Sequence, residues 1–500
     1  MKQLSIHLLK HILTLFTYGA IGSILMLLVV FVIYLDNQPD LNIWHKTHLD
    51  EEFTVRSKVK TFDQYRILET RLFKQLDEEI YPHIKENEKR LINRYNRGSL
   101  SDPNRWPINW NKSFELEAES PRVGILLVHG MSDSPYSLRT LGTSLNRAGA
   151  TVVGLRLPGH GTIPSGLVHA RWQDMAAAVK LAMSHLKSKV GEQPVYIIGY
   201  STGGAFAIHY ALNGLDDPSL VKVDGIVMLS PAIGVSGIAV FAKWQSRLGY
   251  LLGLDKLNWN SIIPEYDPYK YGSFAVNAGD QVYRLTVEIQ SLMNQHSKKA
   301  LEKIPPILAF QSVVDNTVST PALVQGLFAS LPDNGHELVL FDINRAEEIE
   351  FLMNNNPTSE ISKILRQSDN TFTISLLTNK NKLTRQLKLR QRKAGDTQII
   401  ETDTNLVWPD NIYSLSHLAL PIVQSDYVYG YGQNETNPGI KLGDLALRGE
   451  RGVLQISAAS MLRLRWNPFY SYIEKKTHQF VNLVQKDKDT NNMRHRKIKR

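Results

Sequence analysis

Apolar positions along this chain change texture several times. From Ile12 to Leu35 they run on for 24 residues without a charge, and at about 1.5 Å per residue a helix of that length exceeds the roughly 30 Å of hydrocarbon in a bilayer. Lys2 and Lys10 precede this run, and Asp36 and Asp40 follow it. The asymmetry predicts an uncleaved transmembrane signal-anchor over 12–35, with 1–11 cytoplasmic and the rest of the chain outside. A cleaved signal peptide competes, but VIYLDNQPD offers no small-x-small site. Across 36–120, Phe62, Tyr65, Leu68, Leu72 and Leu76 recur at helical spacing among charged residues, which predicts a helical stem. Asp102-Pro103 and Trp106-Pro107 break it.

From Arg122 short apolar runs alternate with helical patterns, the signature of βαβ units and a mostly parallel sheet. Strands are predicted at Gly124–Val128, Thr151–Leu155, Val195–Ile198, Ile226–Leu229, Pro306–Gln311 and Glu337–Phe341. A helix is predicted to open at Ser134-Pro135, with the serine capping and the proline in the first helical position, and Gly149 to end it. Another carries Trp172, Met175, Ala176, Val179, Met183 and Leu186 on one face. Residues 233–300 break the alternation with large apolar and aromatic side chains: Phe241, Trp244, Tyr250, Leu251, Leu252, Trp259, Tyr266, Tyr269 and Tyr271. Residues 344–408 are polar and rich in Lys/Arg, with a helical piece near 359–366 and strand-like pieces at 372–377 and 397–401. A terminal helix is predicted over 470–484.

Candidate chemistry centres on Pro194 to Tyr210, PVYIIGYSTGGAFAIHY. A strand, then Gly199-Tyr200-Ser201-Thr202-Gly203, then a helix, would hold Ser201 on a strained turn with its hydroxyl projecting, above a helix N-terminus that aims free N–H groups at developing negative charge. Composition then narrows the options. There is no cysteine, which removes disulfides, thiolate metal sites and a cysteine nucleophile. No metal-ligand motif, P-loop or dinucleotide fingerprint is present, so neither metal nor cofactor is expected. The net charge of +9 owes much to the tail from Lys486 to Arg500, with seven Lys/Arg against two Asp. The rest is mildly basic, and nucleic acid is not an expected partner.

HGMSDSP at 129–135, LPGHG at 157–161 and GYSTGG at 199–204, in that order, resemble the α/β-hydrolase superfamily and within it the monoacylglycerol lipase and carboxylesterase branch. The resemblance implies an α/β-hydrolase fold: a mostly parallel central sheet flanked by helices, with a cap insertion and a second insertion before the catalytic histidine. The corresponding divisions are core at 121–232, cap at 233–300, core at 301–343, insertion at 344–408, C-terminal core at 409–484 and a basic tail at 485–500. In this fold the order along the chain is serine, acid, histidine. Asp315 fits the acid, because it leaves the C-terminal end of a strand by a short turn; Asp333 and Asp342 are its rivals. Of the histidines beyond it, His336 precedes a core strand, His478 belongs to a helix and His495 lies in the tail, which leaves His417 as the base, at a long separation from Asp315. Oxyanion donors would be the backbone N–H groups of Thr202, next to the serine, and, by the resemblance, Met131. His129 and His160 are expected to shape loops rather than move protons.

The expectation is a membrane-anchored serine hydrolase cleaving carboxylic esters, lipid-like or acyl esters foremost, through an acyl-enzyme on Ser201, Asp315 and His417, on the periplasmic side of a bacterial inner membrane. A serine peptidase or thioesterase of the same fold is one alternative. A non-catalytic anchored binding protein on a hydrolase scaffold is the other.

Overall fold

The structure is a computed structural model that describes residues 2–234, 254–347, 349–354, 356–366, 370–432, 438–445, 447–450 and 453–483. The helix α1, Lys2–Asp36, covers the apolar N-terminal run. Among the described residues, however, no helix is long and apolar enough to cross a membrane, so the expected transmembrane span is not supported. The stem lies against the body. Its main helix, α2 (Phe62–Glu79), buries Phe62, Tyr65, Leu68, Leu72 and Leu76, the five positions that the periodicity picks out. Phe62, Tyr65 and Leu68 join the largest core cluster, together with residues of the central sheet.

The sheet is built from β1 (Phe114–Leu116), β2 (Val123–Val128), β3 (Ala150–Leu155), β4 (Val195–Tyr200) and β5 (Gly225–Leu229). Helices α3 (Tyr136–Arg147), α4 (Trp172–Val190) and α5 (Thr202–Asn213) connect β2 to β3, β3 to β4 and β4 to β5. Proline sits one place earlier at the start of α3 than expected: Pro135 is the N-cap and no side chain caps the helix. Strands β2 to β5 are buried throughout, which is why they read as continuous apolar runs. A small antiparallel pair, β6 (Trp259–Ser261) and β7 (Phe274–Ala275), precedes α6 (Val276–Gln295). Part of the expected cap, including Phe241, Trp244, Tyr250, Leu251 and Leu252, lies outside the described residues, as does the basic tail. Of its other aromatic residues, Trp259, Tyr266, Tyr269 and Tyr271 are all buried as packing residues.

The chain then adds β8 (Ile307–Ser312), β9 (Glu337–Phe341), the helix α7 (Thr358–Arg366), β10 (Thr373–Asn379), β11 (Gln386–Arg392) and β12 (Ile400–Val407). Strand order is β1-β3-β2-β4-β5-β8-β9-β10-β11-β12. From β3 to β10 neighbours are parallel, and β1, β11 and β12 run antiparallel at the edges. Residues 344–408 therefore extend the central sheet instead of looping away from it. Their two ends meet: Asn344 donates from its backbone N–H to Tyr413 O at 2.7 Å and from Nδ2 to Ile412 O at 3.0 Å. That closure returns the chain to the C-terminal edge of β8 and β9 just before His417. The last helix, α8 (Tyr470–Phe480), is shorter than the sequence pattern suggests.

Candidate active site

Ser201 stands between β4 and α5 with φ 54° and ψ −117°, a conformation that costs a non-glycine residue about 1–3 kcal/mol. Three backbone bonds hold it there: Ser201 N–H to Leu229 O (2.9 Å), and Gly204 N–H and Ala232 N–H to Ser201 O (3.0 Å each). The glycines answer a steric demand. A Cβ on Gly203 would lie 1.9 Å from Val128 O, and one on Gly199 would lie 2.4 Å from the Gly203 carbonyl, so strand and helix can cross this closely only without side chains.

His417 Nδ1 bonds to Asp315 Oδ2 at 2.8 Å, with both side chains buried. The other carboxylate oxygen of Asp315 accepts from the N–H groups of Thr317 (2.8 Å) and Val318 (3.1 Å). Burial pushes the Asp315 carboxyl up, but the bonds from His417 and the two amides outweigh it and hold it below the usual carboxylate range. The rivals do not reach His417. Asp342 is taken by Arg345 and Thr378, and Asp333 is an exposed loop residue.

Two bonds that sequence reasoning misses fasten the His417 segment to the sheet. Ser312, at the end of β8, donates from Oγ to Leu415 O at 2.9 Å, and Tyr200 donates from its hydroxyl to His417 O at 3.3 Å. The Tyr200 ring and the imidazole have centroids 5.2 Å apart. His417 thus lies against the residue preceding Ser201, and the structure brings the three predicted side chains to one end of the sheet. The other histidines are engaged elsewhere or stand apart: His478 bonds Ser144 and Leu483 O, and His336 is buried just before β9, near Pro332 and Asp333. His495 lies outside the described residues.

Met131 lies in the loop after β2. Thr202 is the first residue of α5, where an N–H has no acceptor within the helix. Among the described residues neither N–H donates to a backbone acceptor. The loop is braced by Tyr271 N–H to Ser132 O (2.8 Å) and by an ion pair between Asp133 and Lys270 (2.8 Å). The Met131 side chain packs on a buried cluster of Ala232, Val282 and Val318, from the segment after β5, from α6 and from the segment after Asp315. His129 and His160 are buried, and burial lowers both to about 3. They are neutral at ordinary pH and hold loops, as expected. Signals for Tyr200, Ser312, Asp133 and Lys270 were absent from the sequence, because each acts through a partner distant in the chain.

A serine on a strained turn between strand and helix, a histidine bonded to a carboxylate and a parallel sheet in this order define a class. The chain belongs to the α/β-hydrolase superfamily and is a serine hydrolase of the lipase and esterase type. The sequence profile of the family described as serine aminopeptidase, S33, matches residues 119–343. A thermostable monoacylglycerol lipase of Bacillus sp. (strain H-257) is 34% identical over 222 residues, which are 44% of this chain and 82% of the relative. Among solved structures, one of the metagenome-derived lipolytic enzymes LipS and LipT is 20% identical, covers 51% of this chain and 98% of its own, and has a TM-score of 0.36. The monoacylglycerol lipase of Paleococcus ferrophilus is 23% identical, covers 46% and 88%, and has a TM-score of 0.34.

Proposed function

We propose that the protein cleaves carboxylic esters of lipid-like or acyl type through a covalent acyl-enzyme on Ser201, with His417 as base and Asp315 as its orienting acid. The observation that carries this reading is the 2.8 Å bond between His417 Nδ1 and Asp315 Oδ2 at the strand ends that present Ser201. With Nδ1 committed to the carboxylate, Nε2 is left to take the Ser201 proton as Oγ attacks the ester carbonyl carbon. Negative charge builds on the carbonyl oxygen, where the N–H groups of Met131 and Thr202 receive it. Collapse expels the alcohol, protonated by His417, and leaves the acyl group on Ser201. Water, deprotonated by His417, then attacks the acyl carbon and frees the acid.

The lipid-like or acyl preference draws on the monoacylglycerol lipase relative. A peptidase reading draws on the family description, serine aminopeptidase, S33. Esters of graded chain length assayed beside amino-acid anilides test this: turnover rising with acyl length supports the reading, and faster anilide turnover contradicts it.

Attachment to a lipid surface through α1, with the body on the extracytoplasmic side, is the second part of the proposal. Leu15, Phe16 and Met26 on α1 are 76%, 79% and 70% exposed, a burden that water alone does not explain. Flotation of the full chain with vesicles, lost on deleting residues 2–36, is the expected outcome. Equal flotation of both forms would contradict it.

A further inference from the structure

We propose that Glu52 and Glu69, in the N-terminal segment outside the matched hydrolase region, are positioning residues for the oxyanion donor, acting through Arg156 and the loop that follows it. The inference rests on the role of the Met131 N–H given above. Arg156 directly follows β3 and is 1% exposed. Its Nε donates to Glu69 Oε1 (2.9 Å), and its Nη1 and Nη2 form a fork on Glu52 Oε2 (3.1 Å) and Oε1 (2.9 Å). Its backbone is held by the same segment: the N–H donates to Ser113 Oγ (2.9 Å), and the carbonyl accepts from the Tyr65 hydroxyl (2.6 Å). Glu52 Oε2 also accepts from Gly159 N–H at 2.9 Å, and Arg156 Nη1 donates to His160 O at 2.9 Å. Both ends of the 157–160 turn are therefore fixed from the N-terminal segment.

That turn in turn holds the oxyanion loop. Leu157 N–H donates to His129 Nε2 at 3.0 Å, and His129 Nδ1 donates to Gly130 O at 2.8 Å. The carbonyl of Gly130 and the N–H of Met131 belong to one planar peptide unit, so a bond on that oxygen sets the direction of that N–H. The chain of contacts runs from Glu52 and Glu69 through Arg156, Leu157 and His129 to the peptide that would receive the oxyanion. A clip serving only as glue would act on stability alone. A positioning clip acts on the transition state, whose charge the N–H must meet, and leaves ground-state binding in place.

The test uses the full-length protein, with active sites counted by complete fluorophosphonate labelling so that unfolded material does not enter kcat. Glu52→Gln and Glu69→Gln are expected to lower kcat about 10- to 30-fold, less than the 10²–10³ lost when an oxyanion donor is removed outright. KM should stay within about twofold, and binding of a trifluoromethyl ketone, which forms an oxyanion on the serine, should weaken by the same factor as kcat/KM. Glu51→Gln, which breaks only the surface pair with Arg71, should leave all three unchanged. Unchanged kcat per labelled site in both glutamate variants, or a fall in kcat with ketone binding intact, would overturn the inference while the functional reading stands. A wild-type protein that neither labels at Ser201 nor hydrolyses an ester would overturn both.

Discussion

At the scale of single residues the site depends on backbone held where side chains rarely allow it. Ser201 occupies φ 54° because Gly203 lets α5 pass within van der Waals distance of the Val128 carbonyl. Gly203→Ala places a methyl group 1.9 Å from that oxygen, and the crossing must open; we expect a loss of at least about 3 kcal/mol in urea unfolding, or no soluble protein. Asp315→Asn keeps the shape but removes the acceptor that fixes the His417 tautomer, and kcat should fall about 10⁴-fold with KM little changed. The buried histidines set a second expectation. His129 and His160 titrate near 3 in the folded protein and near 6.5 when exposed, so the unfolded chain binds protons that the folded chain refuses. Their stabilisation is complete above pH 6.5 and is lost as pH falls toward 3, at up to about 1.4 kcal/mol per pH unit for each. Urea midpoints should already drop between pH 6 and 5, before most carboxylates protonate; a flat midpoint over that interval would contradict the assignment.

At the scale of elements, α2 functions as part of the hydrolase body. Tyr65 is fully buried and its hydroxyl closes the Arg156 carbonyl, so Tyr65→Phe leaves a buried acceptor empty and should cost about 1–3 kcal/mol in urea unfolding. The apolar periodicity of α2 was readable from sequence, but the surface it covers was not, because periodicity reports a buried face and not its neighbour. The core strands were equally legible, since runs buried on both faces carry an unbroken apolar signal. The edge strand β11 was missed. In Gln386–Arg392 only Leu387 and Arg392 are buried, and charged side chains mask the alternation. The segment 344–408, expected as an insertion, adds β10, β11 and β12 to the central sheet, with β10 parallel to β9.

At the scale of the whole molecule, the sheet is a platform whose strand ends collect residues far apart in the chain. Ser201 was legible because its glycine pattern is local and steric. Asp315 and His417 were reachable only through chain order and elimination, and what returns His417 to the site, the pairing of Asn344 with Ile412 and Tyr413, leaves no local mark. Arg156 and its two carboxylates were invisible for the same reason: their partners lie 87 and 104 positions away. The central claim is that Ser201 is the nucleophile of an ester hydrolase. Its most direct measurement is mass-spectrometric mapping of a fluorophosphonate adduct alongside acyl-ester turnover, in wild type and in Ser201→Ala. One adduct is expected, on the peptide containing Ser201, with loss of both label and turnover in the variant. A label on another residue, or turnover that survives Ser201→Ala, would contradict it.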